Sequence, residues 1–255
     1  MEQNKKIIFY LNTYKNKNKI YDSFATHIHF GTFHFSNLKL YLDKKNPNDL
    51  YFNEMWFDLG MSTEKNIKCI MVLNVKYMDI DYKYYYKILS EFIKSNNIIK
   101  GIDLDVENKI SLENIKILIS DIKRDFPDLL ISISAIGYSM CVNDIDTDYY
   151  YEKEWSYSLF NKSIEASYID YYNCAFNEDD FTIDSFQAMI DNGFIPDKIV
   201  MGCDSQYFQD YDNYYELRCI NKLYSIGGTF IKYFNDSPYK WDISAWLSIT
   251  SVTKK

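Results

Sequence analysis

In Gly101-Ile102-Asp103-Leu104-Asp105-Val106-Glu107, three carboxylates occupy every second position and three aliphatic residues fill the gaps. On a β-strand, side chains alternate between faces, so Asp103, Asp105 and Glu107 share one side while Ile102, Leu104 and Val106 share the other. Neighbours in such a row lie about 6.5 Å apart along the strand. Like charges at that spacing raise each other's proton affinity, so the row tends to keep one acid protonated near neutral pH. A protonated carboxyl beside ionised ones is what general acid catalysis requires. Two other uses of such a row stay open at this point: a site for a hard divalent cation, or a solvated sheet edge. An EF-hand is excluded, because its loop needs glycine at the sixth position and Val106 does not supply it.

Other chemistry-bearing residues are sparse. His27, His29 and His34 do not make a metal set: the first two share a strand face, no third ligand is evident, and packing explains them. No metal and no cofactor is expected. The five cysteines (69, 141, 174, 203 and 219) form no C-x-x-C, and Cys69, Cys174 and Cys203 sit in apolar runs as small buried hydrophobes.

A strand that is acidic on one side and apolar on the other lines a polar cavity and packs its back on helices. Eight short β-branched and aromatic runs can be read: Lys6–Tyr10, Thr26–Phe35, Ile67–Val75, Gly101–Glu107, Leu129–Ala135, Ile169–Phe176, Lys198–Gly202 and Gly227–Phe234. Helical patterns lie between them, clearest at Asp81–Asn96, Ser111–Phe126 and Asp184–Asn192. Asn192-Gly193 with Pro196 beyond is a stop signal, and Phe126-Pro127 closes the preceding helix. Leu38–Asn53 is irregular and reads as an excursion after the second strand, and Tyr138–Phe160 as a long loop. Eight strands with helical connections in 255 residues predict a single (β/α)8 barrel domain over 1–255, with its site at the C-terminal strand ends.

Composition narrows the partners. With 47% hydrophobic and 25% charged residues, the chain has an ordinary globular make-up. A net charge of -8 without a Lys/Arg stripe argues against nucleic acid. No segment approaches the ~20 apolar residues of a membrane span. The N-terminus Met1-Glu2-Gln3-Asn4-Lys5-Lys6 runs into a strand without a signal-peptide pattern, and the cysteines suggest a reducing compartment, so the expectation is an intracellular protein unless a leader has been removed. The 25 tyrosines offer sugar-stacking surfaces, but the bias runs along the whole chain.

With the acid strand fourth of eight, the chain resembles glycoside hydrolase family 18, the chitinases and endo-β-N-acetylglucosaminidases. The family pattern D-G-x-D-x-D-x-E appears as Lys100-Gly101-Ile102-Asp103-Leu104-Asp105-Val106-Glu107, with only the leading Asp replaced. Thr26–Phe30 resembles the family's second strand and Leu38–Leu59 the insertion of its small microbial and narbonin-like members. Ile169–Asn173, Pro196–Gly202 and Gly227–Phe230 resemble strands six to eight. The resemblance implies that Glu107 is the general acid, that Asp105 orients and polarises the substrate's 2-acetamido group, and that Asp103 shares a proton with Asp105. It also implies a carbohydrate ligand containing N-acetylglucosamine and hydrolysis with retention through attack by the acetamido oxygen.

The departures fall on the substrate-binding positions. Asn177 stands where the family has a tyrosine that holds the acetamido oxygen, and Lys232, followed by Tyr233, stands where an indole floors the −1 subsite. Tyr171 and Tyr172 are further candidates for substrate binding; they alternate, so only one can point into the barrel. An ammonium cannot stack on a pyranose as indole does, so the alternative is a catalytically impaired narbonin-like or lectin-like barrel that binds glycans or is structural.

Overall fold

The computed structural model describes residues 5–11, 23–76, 78, 81–106, 110–142, 156–177, 180–205, 211–232 and 241–250. Nine strands form one sheet: β1 (Lys6–Leu11), β2 (His27–Ser36), β3 (Lys39–Leu42), β4 (Lys68–Asn74), β5 (Ile99–Asp105), β6 (Leu130–Ile136), β7 (Tyr171–Ala175), β8 (Ile199–Asp204) and β9 (Gly228–Lys232). Eight of them pair in parallel, and β1 hydrogen-bonds to both β2 and β9, which closes the sheet into a barrel. Closure removes both sheet edges. The helices α1 (Asn53–Glu64), α2 (Tyr82–Ser95), α3 (Leu112–Asp125), α4 (Gly137–Cys141), α5 (Tyr157–Asn161), α6 (Ile183–Asp191), α7 (Tyr211–Tyr224) and α8 (Trp241–Thr250) accompany the strands in a (β/α)8 arrangement.

Alternation along the strands sorts the core into two parts. Ile7, Phe9, Ile102, Leu104, Ile131, Ile133, Met201 and Ile231 face outward into the main core, against the helices. Ile8, Tyr10, Val72, Tyr171, Val200 and Phe230 form a separate apolar cluster within the barrel. Trp241 opens α8 and packs on Phe9 at 5.3 Å between ring centroids, fully buried, so it fixes the last helix rather than reaching solvent. Trp246 stacks on Phe24.

The excursion after the second strand is more regular than its sequence suggests. It contains β3, antiparallel to β2, then a 3-10 turn over Leu50–Phe52 that leads into α1. Asn37 and Leu38 join β2 to β3 with φ of 47° and 56°, the positive values a tight two-residue hairpin connection demands. Gly31 has φ +65° beside the register shift between Phe30 and Phe33, and a side chain there would run into Leu42. The expected loop 138–160 carries helical turns at both ends, α4 and α5, with 143–155 outside the described residues. Among the described residues, no helix is long and apolar enough to cross a membrane.

Candidate functional site

The barrel places Gly101, Asp103 and Asp105 on the inner face of β5, with Ile102 and Leu104 in the outer core. Gly101 allows this strand to approach its neighbour: a Cβ there would come within 2.8 Å of the Leu130 carbonyl oxygen. Asp103 is fully buried and gathers donors from three other strands. Ser132 Oγ donates to Oδ1 at 2.6 Å and Asn173 Nδ2 at 3.0 Å. Ser134 Oγ donates to Oδ2 at 2.6 Å and the Tyr10 hydroxyl at 2.8 Å. His29 Nδ1 stands 3.2 Å from Oδ2.

Burial alone would raise the Asp103 carboxyl, but the His29 ring and the serine hydroxyls outweigh it and hold the group at about 2. Four donated hydrogen bonds fill the lone-pair positions of a carboxylate. Asp103 is therefore a fixed anion, which corrects the expectation that it shares a proton with Asp105. Tyr10 and Tyr171 are pushed far above the ordinary phenol range, first by burial and then by Asp103, so both keep their protons. His27 is lowered by burial and by His29, and stays neutral.

Asp105 is half-buried one step further along β5, and its Oδ2 accepts a 3.0 Å hydrogen bond from Asn74 Nδ2. Asn74 is its register partner on β4. Lys100, in place of the family's leading Asp, is exposed near the start of β5 and caps the Asn97 carbonyl at 2.7 Å. That substitution thus lies at the opposite end of the strand from the site. Glu107 and Tyr233 lie outside the described residues.

The remaining candidates separate. Tyr171 points into the barrel below Asp103 and is fully buried, its hydroxyl 3.0 Å from His29 Nε2. Tyr172 points outward and packs edge-on against Phe194, which removes it from any lumen site. Asn177 is exposed just past the end of β7. Lys232 ends β9, half-buried, on the same alternation as Phe230 and in register with Asp204. Sequence reasoning missed Tyr10, Asn74, Ser132, Ser134 and Asn173. The only local signal was Ser132 and Ser134 alternating with Ile131 and Ile133, an inward polar face on a strand. His27 and His29 pack inside the barrel, and among the described residues no group of three His, Cys, Asp or Glu side chains is placed to hold a metal.

Solved structures share this architecture. A fungal endo-β-N-acetylglucosaminidase of glycoside hydrolase family 18 superimposes with a TM-score of 0.80 at 21% identity, covering 96% of each chain. The chitinase ChiC from Aspergillus fumigatus gives 0.79 at 18% identity, over 92% of this chain and 94% of that one. Active domain 2 of a Pyrococcus furiosus chitinase, solved as catalytic-site mutants with chito-oligosaccharides, gives 0.59 at 11% identity over 90% and 83%. The sequence matches no family model and no curated protein. At these identities the likeness establishes the fold: the chain is built as the family 18 chitinase barrels are.

Proposed function

We propose that the chain is a divergent, chitinase-like member of glycoside hydrolase family 18 that hydrolyses β-linked N-acetylglucosamine glycans with retention. The observation that carries this reading is the inner face of β5, the fourth barrel strand, where a locked Asp103 anion stands beneath Asp105 in the family's barrel. Glu107, the next residue of the alternation, gives its proton to the glycosidic oxygen as the C1–O bond breaks. The substrate's acetamido oxygen attacks C1 and forms an oxazolinium ion. Asp105 orients the acetamido N–H, and Asp103 fixes the negative field under it. Water then adds to C1 and returns its proton to Glu107, and the ring bond to the acetamido oxygen opens. Asn177 takes the place of the family tyrosine as a hydrogen-bonding partner of the acetamido group, and Lys232 with Tyr233 borders the same sugar.

The purified protein should release product from chitooligosaccharides or chitobiose-containing glycans between acid and neutral pH, with the β-anomer appearing first by proton NMR. Glu107→Gln should lower kcat by at least about a hundredfold, the scale of a lost general acid. A first-formed α-anomer, or unchanged turnover in Glu107→Gln, would overturn the assignment. Oligosaccharide binding without turnover would instead identify a glycan-binding barrel.

A further inference from the structure

Asn74 closes β4 in register with Asp105, and the pairing runs one residue further, where the Val75 N–H donates to the Asp105 carbonyl at 3.4 Å. Val75 is fully buried, and the Met78 N–H returns to its carbonyl at 3.0 Å, so the chain leaves the strand in a defined turn. That turn orients the Asn74 amide. Its Oδ1 accepts the Lys76 N–H at 3.1 Å, which aims Nδ2 at Asp105 Oδ2, 3.0 Å away. A backbone N–H can only donate, so the reversed amide would set donor against donor and oxygen against carboxylate. The donor therefore points at Asp105 before any substrate arrives. Asp103, one step below, cannot do this job. It accepts hydrogen bonds from Ser132, Ser134, Tyr10 and Asn173, and as a fixed anion it has no proton to offer its neighbour.

We infer that Asn74 is the positioning residue that holds the Asp105 carboxylate ionised and in one orientation for the substrate's acetamido N–H. An uncharged amide thus stands in for the proton that the two aspartates were expected to share. The inference rests on the proposed hydrolase reading, in which Asp105 orients the acetamido group, and it adds a residue from outside the acid row. A donor to an ionised carboxyl favours the charged form, and only that form can accept the acetamido N–H. Among the described residues, the titratable groups around the pair are Asp103 on β5, His34 in register with Asn74 on β2, and Lys76 beyond the turn. Tyr157 of α5 reaches the Ser134 carbonyl, at 3.5 Å, in the register row of Asp105. Glu107 follows in the acid row. All of these are common to wild type and Asn74 variants, so the ratio of variant to wild-type rate at each pH isolates the amide.

The test measures kcat and KM on chitooligosaccharides from acid to slightly alkaline pH for wild type, Asn74→Leu and Asn74→Asp. Asn74→Leu keeps the branched outline and removes the donor. It should lower kcat by about tenfold with little change in KM, the scale of a lost hydrogen bond to a charged group. Its rate relative to wild type should fall further toward acid pH, because a carboxylate without its donor takes up a proton more readily. Asn74→Asp brings a carboxyl that donates to Asp105 while protonated and repels it once ionised. Its rate relative to wild type should therefore rise toward acid pH. Opposite pH trends in the two ratios are expected, and a mere loss of packing would not produce them. An unchanged kcat in a folded Asn74→Leu, or ratios flat with pH in both variants, overturns the inference. If Asn74→Leu does not fold, the pH trend of Asn74→Asp decides. Glu107-dependent turnover without these trends would defeat this inference and leave the hydrolase reading standing. No turnover by wild type would defeat the hydrolase reading and this inference with it.

Discussion

Asp103 shows what alternation along one strand can and cannot reveal. Its place on the inner face of β5 follows from D-x-D-x-E alone, but its partners come from β1, β2, β6 and β7. Tyr10 is 93 residues away in sequence and Asn173 is 70, so no local pattern ties them to the acid. That is why the row reads as three coupled acids in the sequence, while the fold singles out one, Asp103, whose carboxyl is held down at about 2. The consequence for stability has a definite sign. The folded carboxyl sits at about 2 against an ordinary 3.8, so its contribution is complete above pH 4 and is lost as pH falls through 4 toward 2. The full difference corresponds to about 2 kcal/mol, of which about 1 kcal/mol is gone at pH 3. Asp103→Asn should be less stable than wild type at pH 7 and should lose less on acidification. Urea midpoints of both proteins at pH 7 and pH 3 measure this, and parallel losses would show that Asp103 is not the titrating group.

At the level of elements, hydrophobic period was enough for the strands but not for the hairpin. All eight barrel strands fall within two or three residues of their sequence ranges, and α2, α3 and α6 match theirs within one. The β2–β3 hairpin was illegible because its connection places Asn37-Leu38, not a glycine pair, at positive φ, and because β3 has only four residues. Glycines within the elements make a sharper test of how the barrel wall is built. Gly202 lies on the inner side of β8, and a Cβ there would collide with both the carbonyl and the ring of Phe230 on β9. Gly202→Ala should cost about 1–3 kcal/mol by overpacking, and it should disturb the strand that carries Lys232. Gly60, in the middle of α1, has only Ile98 Cδ1 near its would-be Cβ, at 3.9 Å, an ordinary contact. Gly60→Ala should therefore stabilise by about 0.5–1 kcal/mol through helix propensity. Opposite shifts in the denaturation midpoint are expected for the two substitutions. A stable Gly202→Ala would mean that the lumen has slack where the structure shows none.

Across the whole molecule, a closed barrel has no edge from which to unravel, and the cysteines sample that property at separate points on the ring. Cys69 on β4, Cys174 on β7 and Cys203 on β8 are buried on the outward face of their strands, while Cys141 in α4 and Cys219 in α7 are half-buried. The apolar runs around the first three made their burial legible in the sequence; that two of them lie on the adjacent strands β7 and β8 and the third on β4, three places from β7 in the same closed sheet, was not. Burial pushes the Cys69 thiol up to about 12 and Cys141 up to about 11, and it moves Cys174 well above the ordinary range. The thiolate is the reactive form, so at pH 8 the native protein should take up maleimide only at Cys219 and, more slowly, at Cys141. All five should react once the chain is unfolded in guanidinium. The informative quantity is the slow labelling of the buried three in the native state. If the barrel opens only as a unit, Cys69, Cys174 and Cys203 become accessible in the same event, and their labelling rates, corrected for intrinsic reactivity, should agree and should fall together as stability rises. Site-resolved mass spectrometry of timed labelling reads all three at once. Much faster modification of Cys69 than of Cys174 and Cys203 would show that the wall at β2 and β4 opens alone, and that the barrel behaves as an open sheet with a weak seam.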